Sequence, residues 1–362
     1  MSLLEPILLD RKLLDWLADP SDPALRAKVL KDLLEYPDDD PDLQAAKRLL
    51  PEQQWIKATL AGYNGDGTWE KRLYQKYRGT SWVMLHLSEI GAPEELPQIQ
   101  GGVEYLLSNA KPISEVKGIE RERYSQCTNG VYWHYPIACL TAHIATVLAR
   151  YGHASQPITR AALATCRYLL DPEEGFRCFV IDQSLLPQCM MTVPKVLKAF
   201  LAIPKNLRTS EDMNFIQQLV RLLKKFHLYK YSAKDTVQWR EWSMKSTSEE
   251  RRSQKSHWRE QGRVEPRKEK AGWLRFSFPL SYNSDLLEVL LLIGEVEPEV
   301  DEVITEGLSL LLEKRGKDGR WKMIGGLNGK MWANLDEKGK PSPWITYRAL
   351  LALKQFGMLK TA

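Results

Sequence analysis

Long apolar runs are missing from this chain. The longest, near residues 286–293, contains Glu288 and falls far short of the ~20 residues that a membrane span needs. Residues 1–10 mix apolar and acidic side chains, with no basic start and no apolar core, so no secretion signal is expected. Cysteine is sparse: five residues, odd in number and scattered, which points to free thiols in a reducing, cytoplasmic setting. A strong charge excess is also lacking. Lys plus Arg is 51 against 46 Asp plus Glu, a formal +5, and no nucleic-acid partner is expected from so mild a balance. Strand-like alternation is nearly absent. What remains, at 43% hydrophobic and 27% charged, excludes a disordered or collagen-like chain.

Helical periodicity fills the space these absences leave. Apolar residues three and four apart mark helices over 24–36, 41–50, 81–90, 99–107, 137–151 and 159–169. They continue over 191–202, 212–226, 285–293, 300–314 and 344–356. Gly91, Gly152, Pro172, Pro204, Pro298 and Gly357 punctuate the joints. The expectation is an all-α protein, with residues 1–362 forming one domain.

The helices alternate in character. Strongly apolar ones follow aromatic and polar lead-ins such as Lys76-Tyr77-Arg78, Tyr132-Trp133-His134-Tyr135 and Phe278-Pro279-Leu280-Ser281-Tyr282, and each is followed by a more amphipathic helix. The apolar helices start near residues 80, 137, 189, 283 and 344, a spacing of ~52–61 residues once a 37-residue insertion at 234–270 is set aside. A two-helix repeat of that size makes a solenoid, open or closed into a ring. With the N-terminal helices it yields five to six hairpins, and a closed ring would place the apolar helices inside.

The insertion itself holds eleven Lys or Arg against seven Asp or Glu, a net of +4, together with Trp239, Trp242 and Trp258. That is the composition of a solvated insertion. Its tryptophans fold back onto the domain or meet an acidic partner or a membrane surface.

Gly-aromatic turns recur at Gly65-Asp66-Gly67-Thr68-Trp69, Glu174-Gly175-Phe176 and Asp318-Gly319-Arg320-Trp321. The last, read with Gly307, Leu310, Leu311 and Arg315, resembles the QW repeat of squalene-hopene and oxidosqualene cyclases, with Arg315 where Gln is usual. The resemblance extends over most of the chain, through Tyr74-Gln75-Lys76-Tyr77-Arg78 with Trp82, Cys139-Leu140-Thr141, Gly272-Trp273-Leu274-Arg275-Phe276 and Lys340-Pro341-Ser342-Pro343-Trp344. It is to the prenyltransferase and squalene-oxidase repeat proteins, and within them to a short single-toroid bacterial and archaeal branch. It implies a single α/α toroid, a squalene-hopene cyclase-like barrel, and an isoprenoid or terpenoid ligand. The departures are specific. The Asp-x-Asp-Asp cluster that starts the cyclase cascade is missing, Asp38-Asp39-Asp40 lying in a Pro-bounded turn. The magnesium-binding carboxylates of class I terpene synthases find no match, and the zinc pattern of protein prenyltransferases does not transfer cleanly.

In a closed ring the starts of the apolar helices would converge on one mouth, with their free N–H groups facing it. Tyr77, Trp82, Tyr132, Trp133, Phe278, Tyr282, Trp332 and Trp344 would rim or line an apolar cavity there, with Arg78 beside them. Any one of these rings has packing between hairpins as its plainer role. Asp285 opens the most apolar helix. Buried in such a mouth it would be a general acid, whereas as a simple helix cap its pKa would fall. Arg348, four residues after Trp344, either pairs with Asp285 or holds a phosphate. His134 is the second acid-base candidate. Cys139 and His143 share one helical face, and with Cys178 and Cys189 they offer four zinc ligands, although at no standard spacing.

Three functional classes follow: an isoprenoid-binding or isoprenoid-processing enzyme with its site in an aromatic cavity, a zinc or thiolate enzyme on the same fold, and a non-catalytic scaffold acting through the basic insertion.

Overall fold

The computed structural model describes residues 5–116, 124, 126–172, 175–176, 189–230, 247, 249–250, 269–281, 283–327 and 329–361. Tyr282, Cys178 and most of the 234–270 insertion, with its three tryptophans, lie outside the described residues.

The chain is all-α, and the helices fall where the periodicity placed them. In order they are α1 (Arg11–Leu17), α2 (Pro23–Lys28), α3 (Pro41–Arg48), α4 (Gln54–Leu60), α5 (Thr80–Ile90), α6 (Pro97–Ser108) and α7 (Ala138–Leu148). Then come α8 (Pro157–Tyr168), α9 (Thr192–Leu201), α10 (Ser210–Lys225), α11 (Leu286–Val296), α12 (Glu302–Glu313) and α13 (Pro343–Gln355). The short α1 and α4 are additions, too brief for periodicity to mark. The expected helix over 24–36 is interrupted, α2 passing into a wider π turn at Val29–Leu33. Among the described residues no helix is long and apolar enough to cross a membrane.

Starts and stops have local causes. Asp10, Asp22, Asp40, Asp285, Asp301 and Ser342 each cap a helix by accepting a backbone N–H, satisfying donors the first turn leaves free. Thr209 and Asp212 make a reciprocal capping box at α10. Gly91 ends α5 in the left-handed region at φ 95°, which a Cβ would disfavour.

The packing order follows the alternation. The more apolar helices contact one another in sequence: α5 on α7, α7 on α9, α9 on α11, α11 on α13, and α13 back on α2. The amphipathic α6, α8, α10 and α12 each pack behind the apolar helix of their own hairpin. One hydrophobic cluster runs from Leu9 to Met358. The two ends of the chain meet as well. The strand β1 (Ile7–Leu9) pairs in parallel with β4 (Leu359–Thr361), with Ile7 opposite Leu359. A second two-stranded pairing, antiparallel, joins β2 (Lys111–Pro112) to β3 (Val131–Tyr132).

The two Gly-Trp turns share one geometry. Trp321 is fully buried, donates its indole N–H to Leu311 O at the end of α12 (2.8 Å), and takes the Thr346 hydroxyl on its own backbone N–H (3.0 Å). Arg315 lies over its ring at 5.7 Å. Trp69 repeats this at the other end of the chain, with its indole on Thr59 O (2.8 Å) and its N–H on the Thr80 hydroxyl (3.0 Å). In each case the indole closes the end of one helix while the same residue's backbone binds the first turns of the next apolar helix. This is a hairpin-to-hairpin clamp that satisfies both the indole and the backbone N–H of each tryptophan.

Candidate functional site

The apolar helices α2, α5, α7, α9, α11 and α13 share a cavity of about 270 Å3. α7 contributes through Arg150, just past its end, and the loop before α11 through Phe278. Phe278, Glu288 and Trp344 on its wall are buried, while Arg150 and Glu295 are exposed. The cavity therefore opens at the carboxyl ends of the helices, away from the helix starts where the mouth was expected. The starts of α2, α11 and α13 are closed instead by the Asp22, Asp285 and Ser342 caps.

Its lining is more charged than the expected apolar chamber. α9 is buried from end to end, yet carries Lys195 and Lys198 three residues apart on one face. Opposite them Glu288 takes Lys195 Nζ on both oxygens (2.9 and 2.7 Å) and Lys198 Nζ on one (2.5 Å). Lys198 also reaches Glu89 of α5 at 2.6 Å. Burial alone would push the Glu288 carboxyl up, but the two ammonium groups outweigh it and hold it at about 2. Glu89 is likewise held well below the usual carboxylate range against its burial. Burial lowers Lys195, with Glu288 only partly restoring it, whereas the two carboxylates keep Lys198 raised despite its burial.

Beside this network stand three cations of another kind. Among the described residues Lys28, Arg150 and Arg348 make no ion pair. Arg150 reaches only the Ser88 hydroxyl (3.4 Å) and Arg348 only Ser277 O (3.3 Å), while Lys28 makes no hydrogen bond. Two acceptors on the wall, Glu89 Oε2 and Gln355 Oε1, are buried without a hydrogen-bond partner. The apolar part is an aromatic stack: Phe278 and Trp344 lie parallel at 5.0 Å, and the Arg348 guanidinium sits 4.9 Å from the Phe278 ring.

Asp285 adjoins this wall. One carboxyl oxygen caps α11 through Glu288 N (2.8 Å) and the other accepts Ser277 N (3.2 Å). Both hydrogen bonds and the Arg348 charge favour ionisation, yet burial prevails and pushes the group up to about 6. Asp285 is thus a helix cap whose pKa moves opposite to that of an exposed cap. Arg348 and Asp285 act on each other through space, with no ion pair between them.

Of the residues picked from sequence, the cavity gathers Phe278, Trp344 and Arg348, with Asp285 behind them. The rest are dispersed. Tyr77 clusters with Leu327 and Met331. Trp332 donates to Arg78 O (3.1 Å) and carries the Arg78 guanidinium at 4.2 Å, so these two residues tie a loop down. Trp82 meets His143 edge-on at 4.8 Å. Trp133 is a buried strut that donates to Leu106 O (2.7 Å), and Tyr132 packs against the Ile113–Tyr124 cluster. His134 is exposed and stacks on Tyr74 at 5.5 Å, away from Asp285.

Of the four zinc candidates, Cys178 lies outside the described residues. Among the described residues no three His, Cys, Asp or Glu side chains converge as metal ligands, so Cys139, His143 and Cys189 do not form such a group. Burial, and secondarily the Cys189 sulfur, push the Cys139 thiol up to about 12, far from thiolate chemistry. Both ring nitrogens of His143 are buried without hydrogen-bond partners, and burial holds its pKa well below the usual histidine value.

The sequence reading passed over Lys28, Glu89, Arg150, Lys195, Lys198 and Glu288. A signal was present in two of the helices: Glu288 interrupts the most apolar helix, and Lys195 and Lys198 interrupt a helix whose other face has no polar residue to spare. A charge on a wholly buried helix needs a partner or a ligand. No protein-family model matches the chain, and no curated protein matches it.

Proposed function

We propose that the helices close as an α/α toroid of the prenyltransferase and squalene-oxidase repeat type, and that its central cavity binds an isoprenoid carrying an anionic head group. The cavity's pairing of cations with an aromatic stack carries this reading. Arg150 and Arg348 line the cavity with no direct ion pair among the described residues, and Arg348 stands against the parallel Phe278 and Trp344 rings. Guanidinium forks suit phosphate or carboxylate oxygens, and stacked rings suit an unsaturated hydrocarbon. The sequential contacts of the apolar helices, the joined chain ends and the repeated tryptophan clamp support the toroid.

The size sets the division of labour. A volume of about 270 Å3 is at the small end for ligand pockets. It suits the head and first part of a chain, the remainder leaving through the open carboxyl end. Asp285, buried behind Arg348, is the acid for any proton-dependent turnover, and no metal is required of these residues.

Calorimetry with farnesyl diphosphate, farnesol and inorganic pyrophosphate tests the proposal. Tightest binding is expected for farnesyl diphosphate, with both fragments weaker, and a loss on Arg348→Met. Equal binding of farnesol and farnesyl diphosphate, or no binding of either, overturns it.

A further inference from the structure

The cavity holds one side chain that head-group binding leaves unexplained. Lys28 lies where α2 runs on into the π turn at Val29–Leu33, a position from which a cation ordinarily pairs with a carboxylate one turn along the same face or bonds another side-chain acceptor. It does neither. Its one-turn neighbour Asp32 is engaged by the Tyr347 hydroxyl, and Glu89 across the cavity is engaged by Lys198. Among the described residues the Lys28 amine has no hydrogen bond and no ion pair, yet it lines the cavity beside Arg150 and Arg348.

Lys28 is partly buried, and the Arg150 and Arg348 guanidinium groups that line the same cavity repel its ammonium, a cost that disappears when the amine gives up its proton. Burial is the main influence in that direction, and the charges of Arg150 and Arg348 add to it against the pull of Asp32 and Glu89. A neutral, accessible primary amine beside fixed cations is the arrangement of an imine-forming lysine.

We infer that Lys28 is a nucleophilic amine that captures a small aldehyde or ketone bearing a carboxylate or phosphate, with Arg150 and Arg348 holding the anionic end. The nitrogen lone pair forms a C–N bond to the carbonyl carbon while the C=O π pair moves to oxygen. Proton transfer from nitrogen to that oxygen gives a carbinolamine. Loss of the oxygen as water, with the second nitrogen proton, leaves the C=N bond. Amine and carbonyl compound thus become imine and water, and no oxidant is consumed. This rests on the cavity being the ligand site, and not on the natural ligand being an isoprenoid.

The test traps the imine. The full-length protein is incubated with glyoxylate and cyanoborohydride, which delivers hydride to the C=N carbon, and the adduct is located by peptide mapping. A single adduct on Lys28 is expected, suppressed by inorganic pyrophosphate and lost in Lys28→Arg, whose melting temperature confirms that it is folded. Adducts spread over exposed lysines, with Lys28 no more labelled than they are, overturn the inference. Pyrophosphate calorimetry on the same samples separates the two readings. Pyrophosphate binding without a Lys28 adduct removes the amine chemistry and keeps the anion site. A Lys28 adduct that pyrophosphate does not suppress removes the role given to the two arginines. Neither binding nor adduct removes both.

Discussion

Lys195 and Glu288 face each other 2.7 Å apart on α9 and α11, each about 1% exposed, so a full ion pair is sealed between two of the most apolar helices of the chain. Such a pair rarely adds net stability over an apolar one, but breaking it leaves a charge without water or partner. Glu288 lies on the cavity wall, and the pair, continued through Lys198 to Glu89, is the polar seam along which α5, α9 and α11 are held in register.

Removing one end should therefore be costly. Glu288→Gln strands the Lys195 ammonium, leaves Lys198 to Glu89 alone, and is expected to destabilise the protein by about 3–5 kcal/mol in urea unfolding. Lys195→Met with Glu288→Gln should recover part of that loss, because Lys198 keeps Glu89. A double-variant loss equal to the sum of the two single-variant losses would show that the pair is not energetically coupled.

Asp285 and Glu288 give opposite pH dependences. Burial pushes the Asp285 carboxyl up to about 6 in the folded protein from an ordinary value of 3.8, so the folded state holds that proton more tightly. Its contribution is complete below the unfolded value and is lost as pH rises through about 6, roughly 3 kcal/mol in all. Glu288 is depressed to about 2 from 4.5, so its contribution is present above 4.5 and is lost as pH falls toward 2. In Asp285→Asn the decline between pH 4 and 6 should flatten while the acid limb stays. An unchanged profile would mean that Asp285 is not the group responsible.

The two tryptophan clamps should be matched in weight. Trp321→Ala and Trp69→Ala each remove a fully buried indole and its hydrogen bond, an expected loss of about 3–5 kcal/mol apiece in chemical denaturation. Arg315→Ala, which removes only the cation over the Trp321 ring, should cost roughly 1 kcal/mol or less. An Arg315 loss as large as that of Trp321 would reverse the assignment of which side chain carries the turn.

Anion binding should depend on both guanidinium groups. Arg348→Met and Arg150→Met are each expected to weaken pyrophosphate binding roughly ten- to hundred-fold, the range of one or two charge-assisted hydrogen bonds. Pyrophosphate affinity unaltered in both variants would place the anion elsewhere.

Cys139 should be a slow thiol. With its pKa pushed up to about 12 by burial, alkylation by iodoacetamide at neutral pH should leave it unmodified until the protein unfolds. Rapid native-state labelling there would contradict its raised pKa.

The helices and their boundaries could be read from one dimension, because they depend on neighbours within a turn or two. Apolar spacing placed α5 to α13, and the capping residues Asp285, Asp301 and Ser342 stand where the chain enters a helix. The Gly-aromatic turns were legible for the same reason: Trp69 and Trp321 each bond a carbonyl ten residues earlier. Trp344 and Arg348 were found because they share one face of one helix.

The cavity was a different kind of object. Lys28, Glu89, Arg150, Lys198, Glu288 and Arg348 come from separate hairpins, up to 320 residues apart for the outermost pair, and nothing local marks them as neighbours. Local chemistry named the aromatic residues, but it could not say that Trp133 would brace Leu106 while Phe278 would face a ligand space. Nor could it say that Asp285, a cap by its position, would be buried deeply enough for desolvation to outweigh its hydrogen bonds. Periodicity and capping act along the chain and survive in its order. Which charges lose water, and which of them then find partners, depends on how the hairpins close on one another, and that is a property of packing alone.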